Sequence, residues 1–182
     1  MIRRPSFLRT FFSLGTGDIQ TLSPGSGAIA GHLPGLTTGG TVTTGSIGEQ
    51  TSSTIVSGSA VALTTATSAN ITNITTTSGG IFLVLTSTNF VLAAATATLF
   101  QCGPSNATAT LPGQTSSPTT YAGENLVVWG DNYITTGTFT IQLRSQSLII
   151  VGSATQLFLV ANATFSAGTV SAYGTISAIR VG

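Results

Sequence analysis

From Thr54 to the end of the chain, apolar and polar side chains alternate with a period of two. A strand sends successive side chains to opposite faces, so this period specifies strands rather than helices. The runs are STIVSGSAVALTT, ANITNITTT, GGIFLVLTSTNF, AAATATLFQCG, GTFTIQLRS, QSLIIVG, TQLFLVANATF and GTVSAYGTISAIRV. They are rich in Val, Ile, Thr and Phe and are bounded by Gly, Ser, Asn or Pro. In TQLFLVANATF, Leu157, Leu159, Ala161, Ala163 and Phe165 share one face, while Phe158, Val160, Asn162 and Thr164 share the other. That pattern predicts a core on one side and a mixed face available to a neighbouring subunit. About eight antiparallel strands with one long excursion predict an all-β, jelly-roll-like β-sandwich over residues 54–182.

The excursion runs from Pro104 to Gly137, and within it ENLVVWG has the composition of a short extra strand. It gathers Tyr121, Trp129 and Tyr133 with the acids Glu124 and Asp131. Aromatic rings beside carboxylates suit a shallow sugar-binding face. The same residues suit a cap on the end of the sandwich or a subunit interface.

Residues 1–53 read differently. Glycine and proline recur every few positions from Gly15 to Ser53, and no period persists. Such a segment buries too little apolar surface to offset its ordering entropy and is expected to be an extended arm, ordered against a partner. Its first residues, MIRRPSFLRTFFSLG, place Phe7, Leu8, Phe11 and Phe12 beside Arg3, Arg4 and Arg9. Pro5 and Arg9 break the apolar run, so an export signal is not expected. Exposed aromatics with arginines suit an anchor on another protein; a tail touching its own domain is the plainer alternative. GSGAIA, Gly25 to Ala30, matches the spacing of a dinucleotide-binding turn, but SP precedes it and GHLPG follows. That turn needs a strand before it and a helix after it, so no cofactor is expected.

Charge narrows the functional classes further. Only 5% of residues are charged, there is no lysine, and the net charge is +1, which provides little repulsion between copies. A chain of this kind is expected to live inside an assembly; a weakly soluble monomer is the plainer alternative. Three of its five arginines fall within the first nine residues, so no basic patch for nucleic acid forms. No apolar run is long enough to span a membrane; IFLVLTSTNFVLAAATATLF is broken by Thr, Ser and Asn. His32 stands alone in the glycine-rich arm, Cys102 is the single cysteine, and no G-x-S-x-G occurs. Neither a catalytic triad nor a metal site is expected from that inventory. Glu124 and Asp131 are the only acids close enough in sequence to pair, and they lie in a loop, so an enzyme is not expected. Sequons at Asn70, Asn73, Asn106 and Asn162 arise readily in so threonine-rich a chain.

LTTATSANIT (63–72), LFLVANATF (157–165) and SAYGTISAIRV (171–181) together resemble a small β-domain of tailed-bacteriophage virion proteins. The resemblance covers residues 60–182, and YGTI is its most specific part. Two departures stand out: GGIFLVL replaces a turn followed by tryptophan and acid, and a terminal arginine pair is reduced to Arg180. The resemblance implies a jelly-roll-like fold, a homotrimer, and a place on the virion's outer capsid or in a fibre. The function it suggests is that of a capsid decoration (cement) protein, with the N-terminal arm lying on the major capsid protein. A head-fibre or tail-associated adhesin with a glycan-binding sandwich is the alternative.

Overall fold

A computed structural model describes residues 42, 44–111, 121–122, 126–134 and 137–182. The chain divides into two units, Met1–Thr37 and Thr38–Gly182, and the description concerns the second. Among the described residues the regular structure is β, with one short 3-10 turn at Ser57–Ser59. The strands are β1 (Gln50–Ile55), β2 (Val61–Ala62), β3 (Ala69–Thr75), β4 (Gly80–Ala93) and β5 (Thr96–Ser105). They continue with β6 (Tyr121–Ala122), β7 (Val127–Ile134), β8 (Thr138–Val151), β9 (Gln156–Ser166) and β10 (Thr169–Arg180).

Two antiparallel sheets stack. The first has the order β1-β10-β4-β8-β6, with β2 also on β10; the second has the order β3-β9-β5-β7. Without the two-residue strands β2 and β6, each sheet has four strands, and successive strands cross between sheets except β5 and β7, which pair within the second sheet, as in a jelly roll. The expected sandwich is therefore present, with its strands apportioned differently. GTFTIQLRS and QSLIIVG form one continuous strand, β8, paired with β4 from Thr138↔Ala93 to Val151↔Gly80. The run containing ENLVVWG provides a full edge strand, β7, of the second sheet. The domain also begins earlier than residue 54, because β1 starts at Gln50.

Period-two burial fills the space between the sheets. Phe82, Val84, Phe90 and Leu92 of β4 face Phe100 and Cys102 of β5 and Leu157, Leu159, Ala161 and Ala163 of β9 in one buried cluster. Each such large side chain, taken fully from water, contributes about 1.5–3 kcal/mol. Phe90 and Phe100 meet across the sandwich with ring centroids 5.1 Å apart at 59°. Two glycines are required by geometry. Ala167 and Gly168, at φ +58° and +63°, form the tight β9–β10 turn, where both central residues need positive φ. A Cβ on Gly174 would strike the backbone oxygen of Ser87 on β4, so only glycine allows β10 and β4 this approach.

One expectation fails in β9. Its core side is as read, but Phe158, Val160 and Asn162 on the other side are also buried. The chain leaves β5 at Ser105, opposite Phe158, and crosses β9 so that Ala109 N–H donates to Asn70 Oδ1 on β3 at 2.7 Å. Asn162 Nδ2 donates to Ser68 Oγ at 3.3 Å. The face predicted to meet a neighbour is thus covered by the chain itself.

Candidate interaction face

The open face lies on the first sheet. Its outward side chains are the odd residues of β4 and β10 and the even residues of β8 and β1, aligned in rows by the register. One end is aliphatic: Ile81 lies opposite Ile150, and Ile179, Leu83 and Leu148 form the next row. Leu85, Leu148, Ile150 and Val181 are 37%, 42%, 42% and 43% exposed. Beyond them runs a band of hydroxyls and amides. Ser52, Ser177, Leu85 and Gln146 form one row, and Thr54, Thr175, Ser87 and Arg144 the next.

The band is largely satisfied within itself. Thr54 and Thr175 share a hydroxyl–hydroxyl bond of 2.9 Å, Gln50 Nε2 donates to Ser177 Oγ at 3.2 Å, and Gln142 Nε2 donates to Ser87 Oγ at 3.2 Å. Polar groups already paired laterally can be covered without leaving a donor or acceptor orphaned. A shallow cleft of about 530 Å³ opens over the band, lined by Leu85, Ser87, Arg144, Gln146, Thr175 and Ser177 among others. Arg144 is exposed on β8, within the hydroxyl band and in the row of Ser87 and Thr175. Of the two arginines among the described residues, it is the one outside the ion pair formed by Arg180.

Arg180 turns inward at the end of β10. Its Nε lies 3.3 Å from Glu49 Oε2, its Nη1 donates to Gly79 O at 2.7 Å, and its Nη2 donates to Ser78 Oγ at 2.6 Å. The guanidinium carbon sits 4.7 Å from the Phe82 ring centroid. Glu49 also accepts from the Thr77 hydroxyl at 2.6 Å and from Gly45 N–H at 2.8 Å. These contacts, the Thr77 hydroxyl first, then Gly45 and Arg180, outweigh burial and hold the Glu49 carboxyl below its ordinary 4.5. The cluster ties the residues before β1 to the β3–β4 turn and the end of β10. Sequence reasoning did not single out Glu49, because its partners lie 28 and 131 positions away.

The residues singled out from the sequence fare unevenly. Arg3, Arg4, Phe7, Leu8, Arg9, Phe11, Phe12 and Glu124 lie outside the described residues. Tyr121 belongs to β6 of the first sheet, whereas Trp129, Asp131 and Tyr133 belong to β7 of the second. The excursion is therefore not one aromatic loop. Trp129 is paired in register with Phe100, and the two rings lie 6.1 Å apart at 31°. Half-buried against the core cluster, Trp129 caps the interior. Cys102 is fully buried, and burial pushes its thiol up to about 11. Among the described residues no group of His, Cys, Asp and Glu is placed to hold a metal ion, and no helix is long and apolar enough to cross a membrane. No protein-family model and no curated protein matches the chain.

Proposed function

We propose that the chain is a structural protein of a tailed-phage virion: a decoration protein that assembles as a homotrimer on the outer capsid and adds buried area across the joints between capsid subunits. The observation that carries this reading is the outer face of the first sheet, which is aliphatic at one end, hydroxylated beyond, and nearly free of charge. A sheet face of that kind suits packing against protein, because little charge has to be desolvated. The jelly-roll strand order and the resemblance of residues 63–72, 157–165 and 171–181 to virion domains support the same reading. The role needs no chemical step and no cofactor. The glycan-binding alternative is weakened by Trp129, whose ring packs on Phe100.

In this reading the N-terminal residues, with Phe7, Phe11 and Phe12 beside the arginines, grip the major capsid protein. The test is binding of the full chain to undecorated capsids, compared with a variant carrying Ser at those three positions. The reading expects wild-type protein to coat the particles and the variant to remain in the supernatant with its fold intact. Equal coating by both would contradict the anchoring role. A truncation made for the same purpose must stop before Gly45, since Gly45 and Glu49 belong to the clamp on Arg180.

A further inference from the structure

We infer that the outer face of the β1-β10-β4-β8 sheet is where one copy of this chain binds another, with the aliphatic end of that face, at Leu83 and Leu148 and the adjoining Leu85, as the apolar part of the contact. The inference rests on the assembly reading above and adds to it the surface and its occupant.

Size is the first argument. From Ile81 to Val91, at about 3.3 Å per residue, and across four strands about 4.8 Å apart, the face measures about 600 Å² before side-chain relief. A specific interface buries about 800 Å² on each partner, so this one sheet face is nearly sufficient by itself. Its layout is the second argument. Interfaces draw on contiguous apolar side chains and keep charge out of the fully buried part. Here Ile81, Ile150, Leu83, Leu148 and Ile179 adjoin one another, the self-paired hydroxyl and amide band lies beside them, and Arg144 sits on β8, at the side of the sheet.

The occupant follows from charge. A strongly charged partner would have to leave its ions facing aliphatic side chains and already paired hydroxyls, with Arg144 alone to answer them. The surface best matched to this face is itself almost uncharged and rich in hydroxyls, amides and aliphatic side chains. This chain has such a surface, with 5% charged residues and no lysine. Arg144 needs only the hydroxyl and carbonyl oxygens that a second copy presents.

The test is the mass of the full-length protein in solution, by light scattering after size exclusion. Wild type is expected as an oligomer, and Leu148→Arg and Leu85→Arg as single chains with an unchanged circular-dichroism spectrum. Should either arginine variant fail to fold, single-cysteine reporters decide. Cys102 is buried, so Leu148→Cys and Ser153→Cys, both at exposed positions, each add one accessible thiol to an otherwise silent chain. The inference expects the thiol at position 148 to be alkylated at least tenfold more slowly than that at 153 while the protein is oligomeric. A monomeric wild type, an oligomer that survives both arginine substitutions, or equal labelling at the two positions would overturn it. A monomeric wild type would also count against the homotrimer of the wider reading, whereas an oligomer that survives both substitutions, or equal labelling, overturns this surface alone.

Discussion

Arg180 on the last strand and Glu49, the residue before the first strand, form a largely buried ion pair, with Arg180 Nε 3.3 Å from Glu49 Oε2. The backbone repeats the link, since Arg180 N–H donates to Glu49 O and Gly48 N–H donates to Arg180 O, each at 2.8 Å. Removing Arg180 would leave Gly79 O and the Glu49 carboxylate without their cation. Arg180→Ala should lower stability by about 3 kcal/mol, since hydrogen bonds to charged groups are worth about 1.5–3 kcal/mol each. That corresponds to a fall in Tm of about 6–12 °C for a domain of this size. Thermal melts of the two proteins at neutral pH check it.

The same pair makes stability depend on acid. Because the folded Glu49 carboxyl titrates below its ordinary 4.5, the stability it provides is complete above that value and is lost as pH falls through the folded value. Wild type should therefore lose Tm more steeply below about pH 4.5 than Glu49→Gln, whose side chain does not titrate. Parallel Tm curves for the two proteins between pH 3 and 7 would show that Glu49 is not the group responsible.

Phe100 sits between Phe90 and Trp129. Phe100→Ala should cost about 3–5 kcal/mol, the range for a buried aromatic replaced by alanine. Trp129, half-buried at the edge, should cost less on the same change. Denaturant midpoints of the two variants measure the order, and a larger loss at Trp129 would contradict its place as a cap.

At Gly174 a methyl group has nowhere to go, because the obstacle is backbone on β4 rather than a side chain that can swing away. Gly174→Ala should destabilise by at least about 1–3 kcal/mol, as overpacked cores do. Unchanged urea unfolding would mean that β10 and β4 can separate locally. This contact also gives a physical reason for the glycine of YGTI.

Thr88 Oγ1 is buried without a hydrogen-bond partner, with only the Cys102 thiol, a weak donor, close to it. Thr88→Val keeps the shape and removes the orphaned hydroxyl. It should leave stability unchanged or raise it by about 1 kcal/mol. A loss of comparable size would show that the hydroxyl–thiol contact is worth more than its geometry suggests.

The strand period made the sandwich legible, but the division of strands was harder to read. Arg144, Ser145, Gln146 and Ser147 look like a turn in sequence. In the sheet, Ser145 and Ser147 are buried on the inner side, where Ser145 bonds Thr86 at 2.5 Å, so the polar run continues through β8. A cross-strand hydroxyl pair is invisible until the register is known. The second face of β9 misled for a similar reason, since its burial depends on segments distant in sequence, such as the one that brings Ala109 to Asn70, which local alternation cannot place. Ile81, Leu83 and Leu85 alternate with Phe82 and Val84, so both faces of β4 read as apolar. Only the packing of the two sheets shows which of the two is covered, and hence which is open.

The central claim is that this chain belongs to the virion shell. The measurement that tests it most directly is the copy number of the chain, relative to the major capsid protein, in purified virions of a phage whose genome carries its gene. A ratio near one to one, or a simple lattice fraction of it, is expected. Absence from virions would contradict the account outright, and a handful of copies per particle would move the protein from the shell to a vertex or the tail.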